Sequence, residues 1–243
     1  MGTLISTEIP IVHSLTDHGE VPVAHTGRAV YSMDGAGRRW VRKRECNTGV
    51  EEFLAEMIGW LIGHRLSVPM PDAAVFVAEN DRSWLSERIP DVGHWDPSRA
   101  HLVTNMGGLG AMMALDALIM NADRHAGNIL LQPEPDQLHL KAWAIDHGQA
   151  LVGWPGDYVA RRAEIPAPRV LAHGLPFDLM QEGAMQAAEK ATGLTRRDIL
   201  PLVREACTHV EETRTNDLAD VLAERCVNAC TLVETYLKRV REG

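Results

Sequence analysis

The stretch at residues 118–130, LIMNADRHAGNIL, ends an apolar run in Asn-Ala-Asp-Arg-His and places a further Asn five residues after the Asp. A second run, HLKAWAIDHGQAL, carries Asp146 followed by His147 and Gly148. Two carboxylates and two carboxamides at the ends of hydrophobic segments are costly to desolvate unless they bind something charged. Upstream stand Lys43, in a β-type run, and Glu56, in a helical run with apolar residues at 53, 54, 57 and 58. Phosphoryl transfer from Mg-ATP needs this set: a lysine, a carboxylate to hold it, a catalytic Asp, an amide five residues on, and a metal-binding Asp. The lysine ammonium neutralises phosphate oxygens, and a helix-borne glutamate fixes its direction. Mg²⁺ is hard and takes oxygen ligands, which Asn128 and Asp146 supply. Asp123 can accept a hydroxyl proton or orient the attacking oxygen.

Taken singly, these residues are ordinary. A strand lysine is usually a solvated charge, Glu56 a helix-surface charge, and Asn128 a turn or cap residue. Asp123-Arg124 could form a loop ion pair, with Arg124 serving the loop or bracing the segment that follows. Asp146 is harder to dismiss, because it follows AWAI and an unpaired carboxylate there is expensive. Lys43 also stands apart: the chain has 24 basic residues, and no other lysine occurs before Lys141. A rival chemistry takes Asp123, His125, Asp146 and His147 as a mixed nitrogen and oxygen site for Mn²⁺ or Zn²⁺ that activates water. It uses both histidines but leaves Lys43 and Glu56 idle.

The elements that must position these groups follow from periodicity. Residues 1–20 are irregular and are expected to form an arm. VPVAH, RAVYSM and RRWVRKREC read as strands, the last two joined by the tight turn Asp34-Gly35-Ala36-Gly37. GVEEFLAEMIGWLIGHRL has helical spacing and is stopped by the prolines of SVPMP; AAVFVA and SWLSERI read as strands. LVTNMGGLGAMMALDALIMNA predicts a helix before the Asp123 loop, and NILLQ and LKAWAI predict strands after it. An irregular stretch from about 156 to 177 is followed by three helices, near 178–192, 195–212 and 216–240. GHW at 93–95 reads as packing, and Arg161, Arg162 and Arg169 as solvated surface. The expected organisation is an arm (1–20), a small strand-rich lobe with one helix (21–97) and a mainly helical lobe (98–243). The two lobes make one α+β domain around a cleft.

NADRHAGNIL followed by AIDHG resembles the HipA-like kinases and, more distantly, the Asp-Arg-His-x-x-x-Asn loop of phosphatidylinositol kinases. Residues 34–71, DGAGRRWVRKRECNTGVEEFLAEMIGWLIGHRLSVPMP, are similar to the strand-lysine, helix-glutamate and Leu-x-Val-Pro-x-Pro exit of the HipA-like family. The resemblance covers roughly residues 25–150. It implies a bilobal protein-kinase-like fold with Lys43 as nucleotide lysine, Glu56 as its partner, Asp123 as catalytic Asp, and Asn128 and Asp146 as Mg²⁺ ligands. It further implies that His125 helps hold the transferring phosphate and that backbone near Ser86-Glu87-Arg88 meets adenine, which makes Glu87 a candidate ATP-binding residue. In place of a Gly-x-Gly-x-x-Gly loop the chain offers HTGRAV, where Thr26 and Gly27 are candidate phosphate donors. The metal motif reads Asp-His-Gly, and no Ala-Pro-Glu follows it. The expected activity is an ATP-dependent serine/threonine kinase with ATP and Mg²⁺, a protein substrate and an antitoxin-like or regulatory protein partner. A small-molecule or lipid kinase and a nucleotide-binding pseudokinase are the alternatives within the fold.

Composition narrows the classes. The net charge is −9 and the pI about 5.6, so a nucleic-acid backbone is repelled and no direct nucleic-acid contact is expected. Aromatic residues make up 5%, too few for a base-stacking platform. No apolar run approaches 18 residues, so no membrane span is expected. Cys46, Cys207, Cys226 and Cys230 have no metal-ligand spacing. A cytoplasmic setting fits best.

Overall fold

Asp34 closes the first hairpin. Its Oδ1 accepts from the N–H groups of Ala36 and Arg38, and Gly37 takes a positive φ of 81°, which is the side-chain-capped turn that Asp and Gly favour. The hairpin joins β3 (Ala29–Asp34) to β4 (Arg39–Arg44). A computed structural model describes residues 8–21, 29–79, 81–151, 155–166, 177–210 and 212–242. Thr26, Gly27 and Arg169 lie outside the described residues, as does most of VPVAH.

Two strands precede the hairpin, β1 (Ile11–Val12) and β2 (Leu15–Glu20). Two follow α2 (Val50–Leu66): β5 (Ala73–Ala78) and β6 (Asp81–Glu87). They form one six-stranded sheet in the order β1-β5-β6-β4-β3-β2. This corrects the expected arm, because residues 11–12 and 15–20 are integral strands. Ile11 pairs in parallel with Val75, β2 runs antiparallel to β3, and Ile9 is buried in the main core. A four-residue helix, α1 (Glu45–Thr48), precedes α2. The sheet has two apolar faces. Trp40, Ala74, Phe76 and Leu85 cluster on one, while Val75 and Trp84 join the main core with α2 on the other.

The helical half begins after the short strand β7 (Gly93–His94) with α3 (Met106–Ile119). Next come the hairpin β8 (Ile129–Pro133) and β9 (Leu140–Ala144), then α4 (Pro155–Ala160), α5 (Phe177–Thr192) and α6 (Arg196–Thr208). β7, β8 and β9 form a second, three-stranded sheet. α3 is buried over nearly its whole length and packs backbone-close on α5: a Cβ at Gly110 would lie 2.0 Å from the carbonyl oxygen of Met180. α4 interrupts the stretch expected to be irregular, with Pro155 in its first turn, where a missing N–H costs nothing. The single helix expected at 216–240 is two, α7 (Thr215–Val227) and α8 (Ala229–Glu242). Asn228 separates them: its Nδ2 donates to the carbonyl of Glu224 while its own carbonyl accepts from Leu232 N–H. No helix of the described residues is long and apolar enough to cross a membrane.

Candidate active site

Alternation along β4 buries Trp40 and Arg42 on the outer cluster's side and turns Val41 and Lys43 into a cleft between the two halves. Lys43 Nζ lies 2.6 Å from Glu56 Oε1 and 2.8 Å from Asp146 Oδ1. Glu56 is 3% exposed, and its Oε2 accepts from the backbone N–H of His147 at 2.9 Å. One α2 carboxylate therefore bridges the strand lysine and the backbone just past Asp146. Burial opposes the lysine charge, but the two carboxylates outweigh it and hold Lys43 above the ordinary lysine range. Burial also opposes the Asp146 charge, yet Lys43 brings its pKa down to about 2. Glu56 is pushed up by burial against the pull of Lys43.

One face of α2 makes this contact, with Glu52, Glu56 and Gly59 at helical spacing. A Cβ at Gly59 would sit 2.6 Å from His147 Cβ, and one at Gly148 would sit 2.4 Å from Glu52 Cγ. Both glycines are thus clearance for α2 and the loop after Asp146 to meet. Asp146 takes φ 60°, a left-handed conformation that Asp adopts more readily than bulky residues do.

The Asp123 loop leaves α3 through Met120, whose φ of 54° and N–H bond to the Asp116 carbonyl end the helix. Asp116 is fully buried and takes the Arg124 fork, with Nε at 2.8 Å and Nη2 at 3.0 Å, and Asn121 Nδ2 at 2.9 Å. Arg124 Nη1 then donates to the carbonyls of Asn128 and Ile145, 2.9 and 2.6 Å away. The buried arginine therefore spans both loops that carry the predicted metal ligands. Asn128 Nδ2 donates to the Asp123 carbonyl at 3.0 Å, and Asn121 Oδ1 accepts from Asp123 N–H at 3.2 Å. His125 Nε2 stands 4.0 Å from Asp123 Oδ2.

Lys43, Glu56, Asp123, His125, Asn128 and Asp146 all line a cleft of about 860 Å³. Ala29, Val41, Trp84 and Ile145 give it apolar walls, the combination expected for a flat heteroaromatic ring beside a charged tail. Ser86 to Ile89 line it where β6 leaves the sheet. The Glu87 carboxylate is committed to Arg38 Nη2 at 3.0 Å and its N–H to the Asp72 carbonyl. The oxygen set suits Mg²⁺: the bond from Asn128 Nδ2 leaves that side chain its carbonyl oxygen, and Asp146 engages Lys43 through one oxygen of two.

The rival hydrolytic set does not assemble. The His147 ring is buried against α2, 3.9 Å from Glu56 through Nδ1, rather than joined to Asp123 and His125. Among the described residues, the group of His and carboxylates within metal-ligand reach is Glu134, Asp136 and His139, outside the cleft lining. Sequence reasoning passed over Asp116, took Asn121 only as a carboxamide at the end of a helix, and took His94 as packing, whereas its Nδ1 lies 3.0 Å from the Gly127 carbonyl. Asp116 carried a readable signal, an acid within MMALDALIM, where only a buried partner makes sense.

Burial and the Arg124 charge hold His147 well below the ordinary histidine value of 6.5, and its Nε2 has no partner. The unfolded chain therefore takes up a proton below pH 6.5 that the folded chain refuses, so stability falls as pH drops through that value. His147→Phe is expected to flatten the decline in melting temperature between pH 6.5 and about 5. Thermal melts across that window check it, and an unchanged slope would assign the decline to other groups.

A family model described as phosphatidylinositol 3- and 4-kinase matches residues 75–229, a span that holds Asp123, Asn128 and Asp146. No curated protein matches the sequence. Among solved structures, the Helicobacter pylori proinflammatory kinase CtkA is similar with a TM-score of 0.62 at 11% identity, covering 97% of this chain and 99% of that one. The HipA of Shewanella oneidensis MR-1, in its complex with HipB and operator DNA, gives a TM-score of 0.48 at 10% identity over 99% of this chain and 67% of that one. The likeness to CtkA shows a kinase-like fold, with a sheet-rich N-terminal region and a helical C-terminal part.

Proposed function

The chain belongs to the phosphatidylinositol 3- and 4-kinase family, and from that premise we propose that it is an ATP-dependent phosphotransferase. It moves the γ-phosphoryl group of Mg-ATP to a hydroxyl, with Ser or Thr of a protein the favoured acceptor. The observation that carries the reading is the single clamp in which Lys43 meets Glu56 from α2 and Asp146 from the loop after β9. A structural ion pair needs one acid. Two acids on one half-buried lysine, one of them on a left-handed residue at a cleft wall, leave a surplus carboxylate for a cation.

In this reading Lys43 holds phosphate oxygens and Glu56 fixes its direction. Asn128 and Asp146 hold Mg²⁺, which when bound supplies charge neutralisation at the phosphates. Asp123 accepts the proton of the acceptor hydroxyl at its carboxylate, and His125 donates a hydrogen bond beside it. The acceptor preference rests on charge. Arg161 pairs with Glu164 and Arg162 faces Glu224 at 3.8 Å, so these two, among the described residues of that stretch, carry acidic partners. An inositol phosphate head group calls for free basic residues at that place.

Thermal melts with Mg-ATP, ATP without metal, and metal alone test the reading on wild type and Lys43→Ala, each compared with its own ligand-free value. Mg-ATP at a hundredfold excess over its dissociation constant should add about 2.7 kcal/mol to wild type and far less to the variant. Stabilisation by metal alone that ignores both ATP and Lys43 would overturn the proposal. Phosphate incorporation into protein against phosphatidylinositol vesicles then decides the acceptor.

A further inference from the structure

We infer that Arg88 is a positioning residue for nucleotide binding: stacked on Tyr31, it bars the end of the cleft roof remote from Lys43, and the pair holds the base. The roof is a grid of paired residues. Ala29, Lys43 and Trp84 lie side by side on β3, β4 and β6, and Tyr31, Val41 and Ser86 do so two residues further along. All six line the cleft, and the two rows are about 7 Å apart. The first row carries Lys43 and is the phosphate end. Past the second row, Arg88 N–H bonds to the Arg39 carbonyl at 2.9 Å, which fixes the linker beside β4. From there the guanidinium reaches Tyr31 on the far side of β4, its Cζ 4.2 Å from the ring centroid. Both residues line the cleft, so the stack crosses the width of β4 on the cleft side.

Charge separates this arginine from its neighbours. Arg38 meets Asp72 and Glu87, and Arg42 meets Asp17 and Asp81. Among the described residues no carboxylate lies within ion-pair reach of Arg88, and the Tyr31 ring is its side-chain contact. A guanidinium is weakly hydrated and stacks on aromatic faces. Over a half-buried tyrosine it therefore holds the ring in one orientation without an acid to neutralise it. The lining has one other lysine or arginine, Lys43, and the two divide the cleft between them. Lys43, an ammonium among carboxylates, suits phosphate oxygens. Tyr31 under Arg88 offers a flat aromatic surface at the other end, which suits an uncharged heteroaromatic ring.

The inference rests on the phosphotransferase reading for the identity of the ligand and on no step of turnover. The test is calorimetric titration of the full chain with Mg-ATP, adenosine and Mg-tripolyphosphate, on wild type, Arg88→Ala, Arg88→Lys, Tyr31→Leu and the double variant Arg88→Ala with Tyr31→Leu. Arg88→Ala is expected to weaken Mg-ATP and adenosine about three- to tenfold, the worth of one cation–π stack, and to leave Mg-tripolyphosphate unchanged. Retained tripolyphosphate binding also reports a folded cleft. Arg88→Lys should recover part of the loss, since an ammonium can take the same place, as Lys141 does over Trp143 at 3.9 Å. The double variant should bind adenosine no more weakly than Tyr31→Leu alone, because Arg88 acts through the ring. Losses that multiply would make the two residues independent and overturn the inference. An equal loss for tripolyphosphate would overturn it as well, by making Arg88 a general attractor of anions, and so would unchanged adenosine affinity in Arg88→Ala. Wild type that binds neither Mg-ATP nor adenosine would sink the proposed function and this inference together, whereas Mg-ATP bound without the adenosine split sinks the inference alone.

Discussion

Asp123→Asn is expected to lower kcat by about 10² to 10⁴ while leaving stabilisation by Mg-ATP intact. The substitution is close to isosteric, and the loop is held by contacts it does not touch. Asn121 Oδ1 takes the Asp123 N–H, and Asn128 Nδ2 takes its carbonyl. The carboxylate itself, 28% exposed at the cleft wall, is what changes: an amide accepts no proton from the acceptor hydroxyl. The loss stays below the full catalytic effect, because phosphoryl transfer relies mainly on positioning and charge neutralisation, which Lys43, Asn128 and Asp146 would retain. Asp146→Asn should behave differently. It removes the carboxylate proposed to hold Mg²⁺ and half of the Lys43 clamp together, so Mg-ATP stabilisation is expected to fall with turnover. Single-turnover kinetics beside thermal melts separate the two patterns. Full turnover in Asp123→Asn would remove the catalytic role assigned to that residue.

The parts of this site that were legible in the sequence are those whose spacing is local. Lys43 falls on the cleft side of β4 by strict alternation, and Glu56 falls on the inner face of α2 by helical period. Asp123, Asn128 and Asp146 are fixed to a helix end and a strand end by short connections, so type and spacing were enough to bring them to one cleft. The illegible parts depend on contacts far apart in the chain. Nothing near Ile11 announces that it will lie beside Val75, and an edge strand of two residues has no periodicity to detect. The His147 ring could equally have faced the cleft. What buries it is the bare Cα of Gly59, contributed by a helix nearly ninety residues upstream. The end of α7 turned on one side-chain amide, that of Asn228, within an otherwise unbroken helical pattern. His94 was read as packing because its partner, a carbonyl between residues 125 and 129, has no sequence signature.

Asp116→Ala is expected to be the most destabilising single change near the site, by about 3–5 kcal/mol. Asp116 and Arg124 are both essentially inaccessible to water, so removing the acid leaves a guanidinium without its bonded counter-charge where solvent cannot reach it. Arginine cannot escape by losing its proton. Nor can the ring of contacts relax cheaply, because Arg124 Nη1 is also bonded to the carbonyls of Asn128 and Ile145. For a chain of this size each kcal/mol moves the melting temperature by roughly 2–4 °C, so a fall on the order of 10 °C is the expected result in a thermal melt. Arg124→Met should cost less than Asp116→Ala, since the acid it leaves keeps its bond from Asn121 Nδ2, though two carbonyls are left short of a donor. A double variant, Asp116→Leu with Arg124→Met, should recover part of the stability by removing both charges. It should not recover activity. Arg124 bonds both the loop carrying Asn128 and the loop carrying Asp146, so without it the two loops lose a common anchor. Stability regained with turnover still lost would identify the pair as a brace for the proposed metal-binding loops. Turnover regained along with stability would show that packing alone holds the two loops in register.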